Sequence, residues 1–181
     1  MSVTQCVLLV GGLGTRLGDL TAQTPKPMLE VAGKPFLEHL LAKAATHGFR
    51  QVLLLAGFRA EVLETWLARD RVAERLGLTV EVVIEPQPMG TGGAIIQARD
   101  RLDDAFLLAN GDTWFDFDWR VLADRADADV VMALRQIAEA DRYETAVLDG
   151  ERVTAFRPRT GTPTPGLILS LIHISEPTRP Y

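Results

Sequence analysis

Residues 5–10 (QCVLLV) form a nearly unbroken apolar run, and similar runs return at 51–56 (QVLLLA), 78–85 (LTVEVVIE) and 105–109 (AFLLA). Apolar stretches without polar alternation are the mark of strands covered on both faces, as in a parallel sheet. Between them the period changes. Phe36, Leu37, His39, Leu40, Leu41 and Ala44 fall at helical spacing between Pro35 and Gly48, which predicts a helix over 35–47. Further amphipathic stretches predict helices over 60–75 and 92–101. Strand, helix, strand, helix, strand in this order predicts right-handed crossovers and a three-layer α/β/α sandwich around a mostly parallel sheet. Beyond it, 127–134 predicts another strand, and 145–148 with 153–156 flank Asp149-Gly150 as a hairpin. Trp114, Phe115, Phe117 and Trp119 alternate with Asp116 and Asp118, a pattern expected of a strand or turn edge that anchors rings in the core.

Composition narrows the class. The 181 residues fit one domain, and 47% hydrophobic with 24% charged residues excludes a disordered chain. Acidic and basic residues are interspersed around a net charge of −5, so no basic stripe invites nucleic acid. No apolar run approaches the ~20 residues of a membrane span and no charged leader precedes the first one. The one cysteine, Cys6, lies inside the first apolar run, which excludes an intrachain disulfide and predicts a buried thiol in a cytoplasmic protein.

The first strand empties into Gly11–Pro27, GGLGTRLGDLTAQTPKP. Glycines after a buried strand let backbone N–H groups face a phosphate, and Arg16 and Lys26 add two cations. The dinucleotide-binding fingerprint does not fit, because its third glycine falls on Leu17. A Walker loop does not fit either, because Gly33-Lys34 continues into Pro35. Two further loops follow strand ends. Glu85-Pro86-Gln87-Pro88-Met89-Gly90-Thr91-Gly92-Gly93 closes the third strand, and Asn110-Gly111-Asp112-Thr113 closes the fourth. Ligands of open α/β sheets collect at such carboxyl ends, so all three loops are expected in one crevice. There Asp112 is placed to offer a hard oxygen ligand to Mg²⁺. Glu85, which as a carboxylate only accepts hydrogen bonds, suits the adjacent N1–H and N2–H₂ donors of guanine better than a pyrimidine edge.

Gly-Gly-x-Gly-Thr-Arg-Leu at 11–17 with Pro25-Lys26-Pro27 resembles the signature of sugar-1-phosphate nucleotidyltransferases, the NDP-sugar pyrophosphorylases. The combination of LVGGLGTRL, PKPM, GKPFLEHLL, EPQPMGTGGAI and NGDTWFD is most similar to the D-glycero-D-manno-heptose 1-phosphate guanylyltransferases among them. The resemblance spans 7–168. It implies a Rossmann-like fold and a reaction that joins a sugar 1-phosphate to an NTP with release of pyrophosphate, with GTP favoured over UTP and Mg²⁺ as cofactor. Its nucleotide side comprises Leu9, Gly11, Gly12, Gly14, Thr15, Arg16, Glu85, Gly90 and Thr91, and its sugar-phosphate side Lys26, Asn110 and Gly111. Arg16, Lys26 and Asp112 carry the catalytic roles, Asp112 as metal ligand; neither Asp116 nor Asp118 matches the family's second aspartate.

Departures from the family's pattern at Arg142-Tyr143-Glu144 and Phe156-Arg157-Pro158-Arg159 leave the sugar open. Leu169–Arg179, LSLIHISEPTR, is similar codon for codon to a translated sequencing adapter. The natural domain is therefore expected to occupy 1–168 and to be incomplete there, with 169–181 a foreign tail whose His173 is discounted. Two alternatives stand beside the guanylyltransferase: a uridylyltransferase for an amino-sugar or N-acetylmuramic acid 1-phosphate, and an inactive nucleotide-binding fragment.

Overall fold

A computed structural model describes residues 2–12, 24–125 and 127–175. In chain order the elements are β1 (Gln5–Leu9), a short hairpin of β2 (Glu30–Val31) and β3 (Lys34–Pro35), α1 (Phe36–Thr46), β4 (Gln51–Ala56), α2 (Ala60–Asp70) and α3 (Val72–Leu76). They continue as β5 (Thr79–Ile84), α4 (Gly90–Gln97), β6 (Ala105–Asn110), α5 (Trp119–Ala123), β7 (Val130–Ile137), β8 (Thr145–Asp149), β9 (Arg152–Arg157) and β10 (Gly166–Ser175).

β1 lies between β4 and β6, parallel to both, and β5 adds in parallel to β4. The apolar runs of the three central strands are explained by their two covered faces. Cys6, Leu8, Val52, Leu54, Leu107 and Ala109 point to one side, where Leu37, Leu40, Leu41, Leu63, Trp66, Val72 and Trp119 from the helices meet them. Val7, Leu53, Leu55, Phe106 and Leu108 point to the other, under Ala94 of α4 and Ala98 just beyond it. Each fully buried leucine stabilises the fold by roughly 1.5–3 kcal/mol relative to exposure. The Cys6 thiol is buried on the first of these faces, and burial pushes its pKa up.

Past β6 the sheet turns antiparallel. β10 pairs with β7 along most of its length, with β6 through Leu171–Ser175 and with β8 at Leu167, and β8 closes the hairpin with β9. Among the described residues this makes an eight-stranded sheet, three-layered at its parallel end, as the hydrophobic pattern predicts.

Three local expectations are corrected, and one segment without an expectation proves to be a strand. The helix expected over 60–75 breaks at Arg71, whose φ of 47° is left-handed. A continuous helix would turn Val72 to the face opposite Leu63 and Trp66, and the break lets Val72 be buried with them instead. The aromatic segment 114–119 is a loop leading into α5, capped by Asp118 accepting the Arg120 N–H at 2.8 Å. Trp119 is buried there but Trp114 is exposed. The strand expected at 127–134 begins only at Val130. Residues 166–175, without a clear period in sequence, form β10.

α1 is tied to its surroundings by Glu38, a buried carboxylate 3.2 Å from both Lys34 Nζ and Arg75 Nη2. Burial pushes its pKa up, but the hydrogen bonds and charges of Lys34 and Arg75 outweigh burial and hold it below its ordinary 4.5. A carboxyl lowered on folding stabilises the fold above its unfolded value, and that contribution is lost as pH falls through the lower folded value. Denaturant titrations of Glu38→Gln are therefore expected to show a flatter loss of stability below about pH 4.5 than the parent. An unchanged acid limb contradicts this.

Candidate active site

The carboxyl ends of β1, β4, β5 and β6 open into one crevice of about 820 Å³. Its walls come from four loops: Val10–Gly12 after β1, Gly57-Phe58 after β4, Glu85–Gly90 after β5, and Asn110 with Asp112 after β6. The loops meet this closely because two positions carry no side chain. A Cβ on Gly11 would lie 3.1 Å from the Gly57 nitrogen and 3.4 Å from Glu85 Oε1. One on Gly111 would lie 2.4 Å from Val10 Cγ1 and 2.8 Å from the Leu9 carbonyl oxygen, to which the Gly111 N–H donates at 2.8 Å. Gly111 thus seats the β6 loop on β1 and sets the height of Asp112.

The charged groups divide along the crevice. At one end the Lys26 ammonium donates to Asp112 Oδ2 at 2.7 Å across 86 residues of chain. Lys26 opens a 3-10 turn, Lys26–Met28, whose Pro27 and Met28 are buried, so the backbone beneath the ammonium is fixed. Both side chains of the pair are about two-fifths exposed (38% and 40%), where an ion pair is worth only about 0–1 kcal/mol and either partner is free to exchange for a ligand. A smaller apolar recess of about 160 Å³ opens beside them, lined by Lys26, Leu29, Val31, Phe36 and Asp112. At the other end Glu85 is held by its N–H donating to the Ala56 carbonyl at 2.7 Å, and its Oε2 accepts the Met89 N–H at 3.2 Å. That leaves carboxylate lone pairs for a ligand edge. Gly90 and Thr91 open α4 at the crevice wall, where the first N–H groups of a helix lack partners within it.

Of the residues singled out in sequence, Leu9, Gly11, Gly12, Lys26, Glu85, Gly90, Thr91, Asn110 and Asp112 line the crevice. Gly111 does not, because it lies beneath Asp112 as a spacer. Gly14, Thr15 and Arg16 fall outside the described residues. Sequence reasoning placed the Glu85 loop with Pro86 and Pro88 in the crevice but missed Gly57 and Phe58, which also line it. The signal for both was available, since they follow the apolar run 51–56 directly and every parallel strand end contributes to such a crevice. Among the described residues no three His, Cys, Asp or Glu side chains gather into a metal cluster. Beside Lys26, Asp112 offers a hard oxygen to the crevice, a donor that fits Mg²⁺, which commonly takes one or two carboxylates and completes its shell with phosphate oxygens and water. No helix among the described residues is long and apolar enough to cross a membrane.

The chain is 35% identical over 159 residues to D-glycero-alpha-D-manno-heptose 1-phosphate guanylyltransferase of Aneurinibacillus thermoaerophilus, covering 86% of this chain and 67% of that protein. It is 40% identical over 162 residues to mannose-1-phosphate guanylyltransferase of Mycobacterium tuberculosis, covering 87% of this chain but 44% of the relative. The chain therefore spans about two thirds of the first and under half of the second. The fold superposes on the crystal structure of HddC from Yersinia pseudotuberculosis complexed with GMP-PN with a TM-score of 0.80 at 28% identity, over 97% of this chain and 77% of that one. A family model described as nucleotidyl transferase matches residues 5–158, and the chain belongs to that family.

Proposed function

We propose that this chain is built for guanylyl transfer from GTP to a sugar 1-phosphate, with a heptose 1-phosphate as the acceptor. The observation that carries the reading is the crevice itself: a carboxylate able to pair with a purine edge at one end, and an ammonium and a carboxylate 2.7 Å apart at the other. The two named guanylyltransferases and the GMP-PN complex of HddC support the choice of base.

In this reading the N–H groups of Gly11 and Gly12 face the triphosphate, and Arg16 adds charge to the phosphates that leave. Glu85 accepts from guanine N1–H and N2–H₂, with Phe58, Pro86 and Pro88 as the apolar wall beside it. Lys26 holds the acceptor phosphate against the α-phosphate as a point charge. An ionised oxygen of the sugar phosphate attacks the α-phosphorus, a P–O bond forms there, and the bond to the bridging oxygen breaks as pyrophosphate departs. The attacking oxygen already carries its charge at neutral pH, so no side-chain base is required. Mg²⁺ on Asp112, when bound, supplies further charge neutralisation to the phosphate oxygens. Catalysis rests on positioning and electrostatics.

Three outcomes are expected. In a pyrophosphate-release assay with D-glycero-α-D-manno-heptose 1-phosphate, GTP supports turnover and UTP does not, and Glu85→Gln narrows the GTP preference by roughly 10- to 100-fold, the worth of a charged hydrogen bond. Preference for UTP in the parent contradicts the base assignment. Lys26→Ala and Asp112→Asn are each expected to lower kcat by about a hundredfold or more; parent-like turnover by Asp112→Asn removes that residue from the metal site. Resequencing the gene across Ile168 is expected to replace Leu169–Arg179 by a continuation containing an Asn-x-Gly turn and a later aspartate, and recovery of the same codons contradicts the proposed foreign tail.

A further inference from the structure

We propose that Lys43, on α1, is a positioning residue for Asp112: its buried ammonium clamps the loop between β6 and α5 so that the Asp112 carboxylate stays at the crevice floor. The proposal rests on the reading of Asp112 as part of the reaction centre. Lys43 sits among the apolar positions of α1, beside Ala44, with only 7% of its side chain exposed. Its Nζ donates to the Phe115 carbonyl at 3.1 Å and to Asp116 Oδ1 at 3.2 Å. It also lies 4.6 Å from the centroid of the Trp114 ring and 5.8 Å from that of Trp119. One ammonium thus gathers a carbonyl, a carboxylate and two indoles of the segment that follows Asp112.

Stability does not explain a lysine at this place. An apolar side chain of similar volume commonly packs as well or better than a buried charge, whereas an ammonium imposes a direction on whatever satisfies it. The Asp116 carboxylate is 87% exposed and adds little rigidity. The Phe115 carbonyl is the fixed point, because a buried donor left without it is costly, and the half-exposed Trp114 ring adds to it.

Besides the packing of Phe115 and Phe117 on the core and the Lys26 and Thr113 bonds to Asp112, the loop has few other restraints. Its backbone bonds include Thr113 N–H to the Asn110 carbonyl at 3.4 Å and Phe117 N–H to the Phe115 carbonyl at 3.2 Å, both at the long end of the range. Upstream, the Gly111 N–H on the Leu9 carbonyl fixes the start of the loop. Downstream, one helical turn beyond Lys43, His47 Nδ1 meets Asp118 Oδ1 at 2.7 Å, so α1 grips the segment at two places. Asp112 lies between the Gly111 anchor and the Lys43 clamp, and a carboxylate displaced by about 1 Å at such a centre costs on the order of a hundredfold in rate.

The test compares the full chain with its Lys43→Met, Lys43→Arg and Trp114→Leu variants by steady-state kinetics with GTP and the heptose 1-phosphate, and by amide hydrogen exchange over 110–118. Lys43→Met is expected to lower kcat about 10- to 100-fold, leave KM for GTP within about threefold, and speed exchange over 112–117 by about tenfold or more while the central strands exchange as in the parent. Lys43→Arg restores most of kcat. Should Lys43→Met fail to fold, Trp114→Leu decides, since that ring is half exposed: kcat falls about three- to tenfold with KM for GTP unchanged. Parent values of kcat and of loop exchange in a folded Lys43→Met, or in Trp114→Leu where it decides, overturn the clamp. A parent chain that turns over no nucleotide overturns the functional reading instead, and loop exchange still decides the clamp.

Discussion

The carboxyl ends of β1, β4 and β6 approach one another as closely as backbone allows, and the site depends on that approach. Gly111 lies against Leu9 and Val10 at distances a Cβ would not permit, and Gly11 lies against Gly57 at one that a Cβ would meet only after a small shift. Parallel pairing of β1 with both neighbours sets the three strand ends at one level, and the absent side chains then let the loops turn over each other into a single crevice. Asp112 follows Gly111 directly, so the position of its carboxylate is inherited from β1 through one hydrogen bond and one packing contact.

Among the described residues the charges on that frame are few and separated. A lysine and an aspartate share one end, and a lone carboxylate occupies the other. Such a layout suits a reaction in which two polyanions must be brought together and no covalent intermediate is required. In the proposed reading the cationic end faces phosphate, and the acceptor-only Glu85 faces an edge that donates. The partial exposure of Lys26 and Asp112 keeps their ion pair weak enough for ligands to replace it.

The parallel half of the fold was legible because both faces of its strands are covered, which turns each into an apolar run that periodicity detects. Glycine- and proline-rich loops after those runs then located Gly11, Gly12, Glu85, Gly90 and Asp112 at the crevice. The antiparallel half was less legible. β2 and β3 are two residues each, too short for any period, and β10 mixes Leu and Ile with Gly166, Ser170, His173 and Ser175 in an order that fits no single pattern. The α2–α3 break depends on which side chain the core accepts after Trp66, a tertiary matter. Lys43 was invisible as a functional residue, because the carbonyl and carboxylate it meets lie 72 and 73 residues away and nothing in α1 announces them.

A crystal structure with a non-hydrolysable GTP analogue and a sugar 1-phosphate tests the central claim most directly, that one crevice holds both substrates with the base at Glu85 and the reacting phosphates at Lys26 and Asp112. The predicted result places guanine N1 and N2 within about 3 Å of the Glu85 carboxylate, and the acceptor phosphate in contact with Lys26 Nζ. A base seated away from Glu85, or an acceptor phosphate that leaves Lys26 paired only with Asp112, would contradict it.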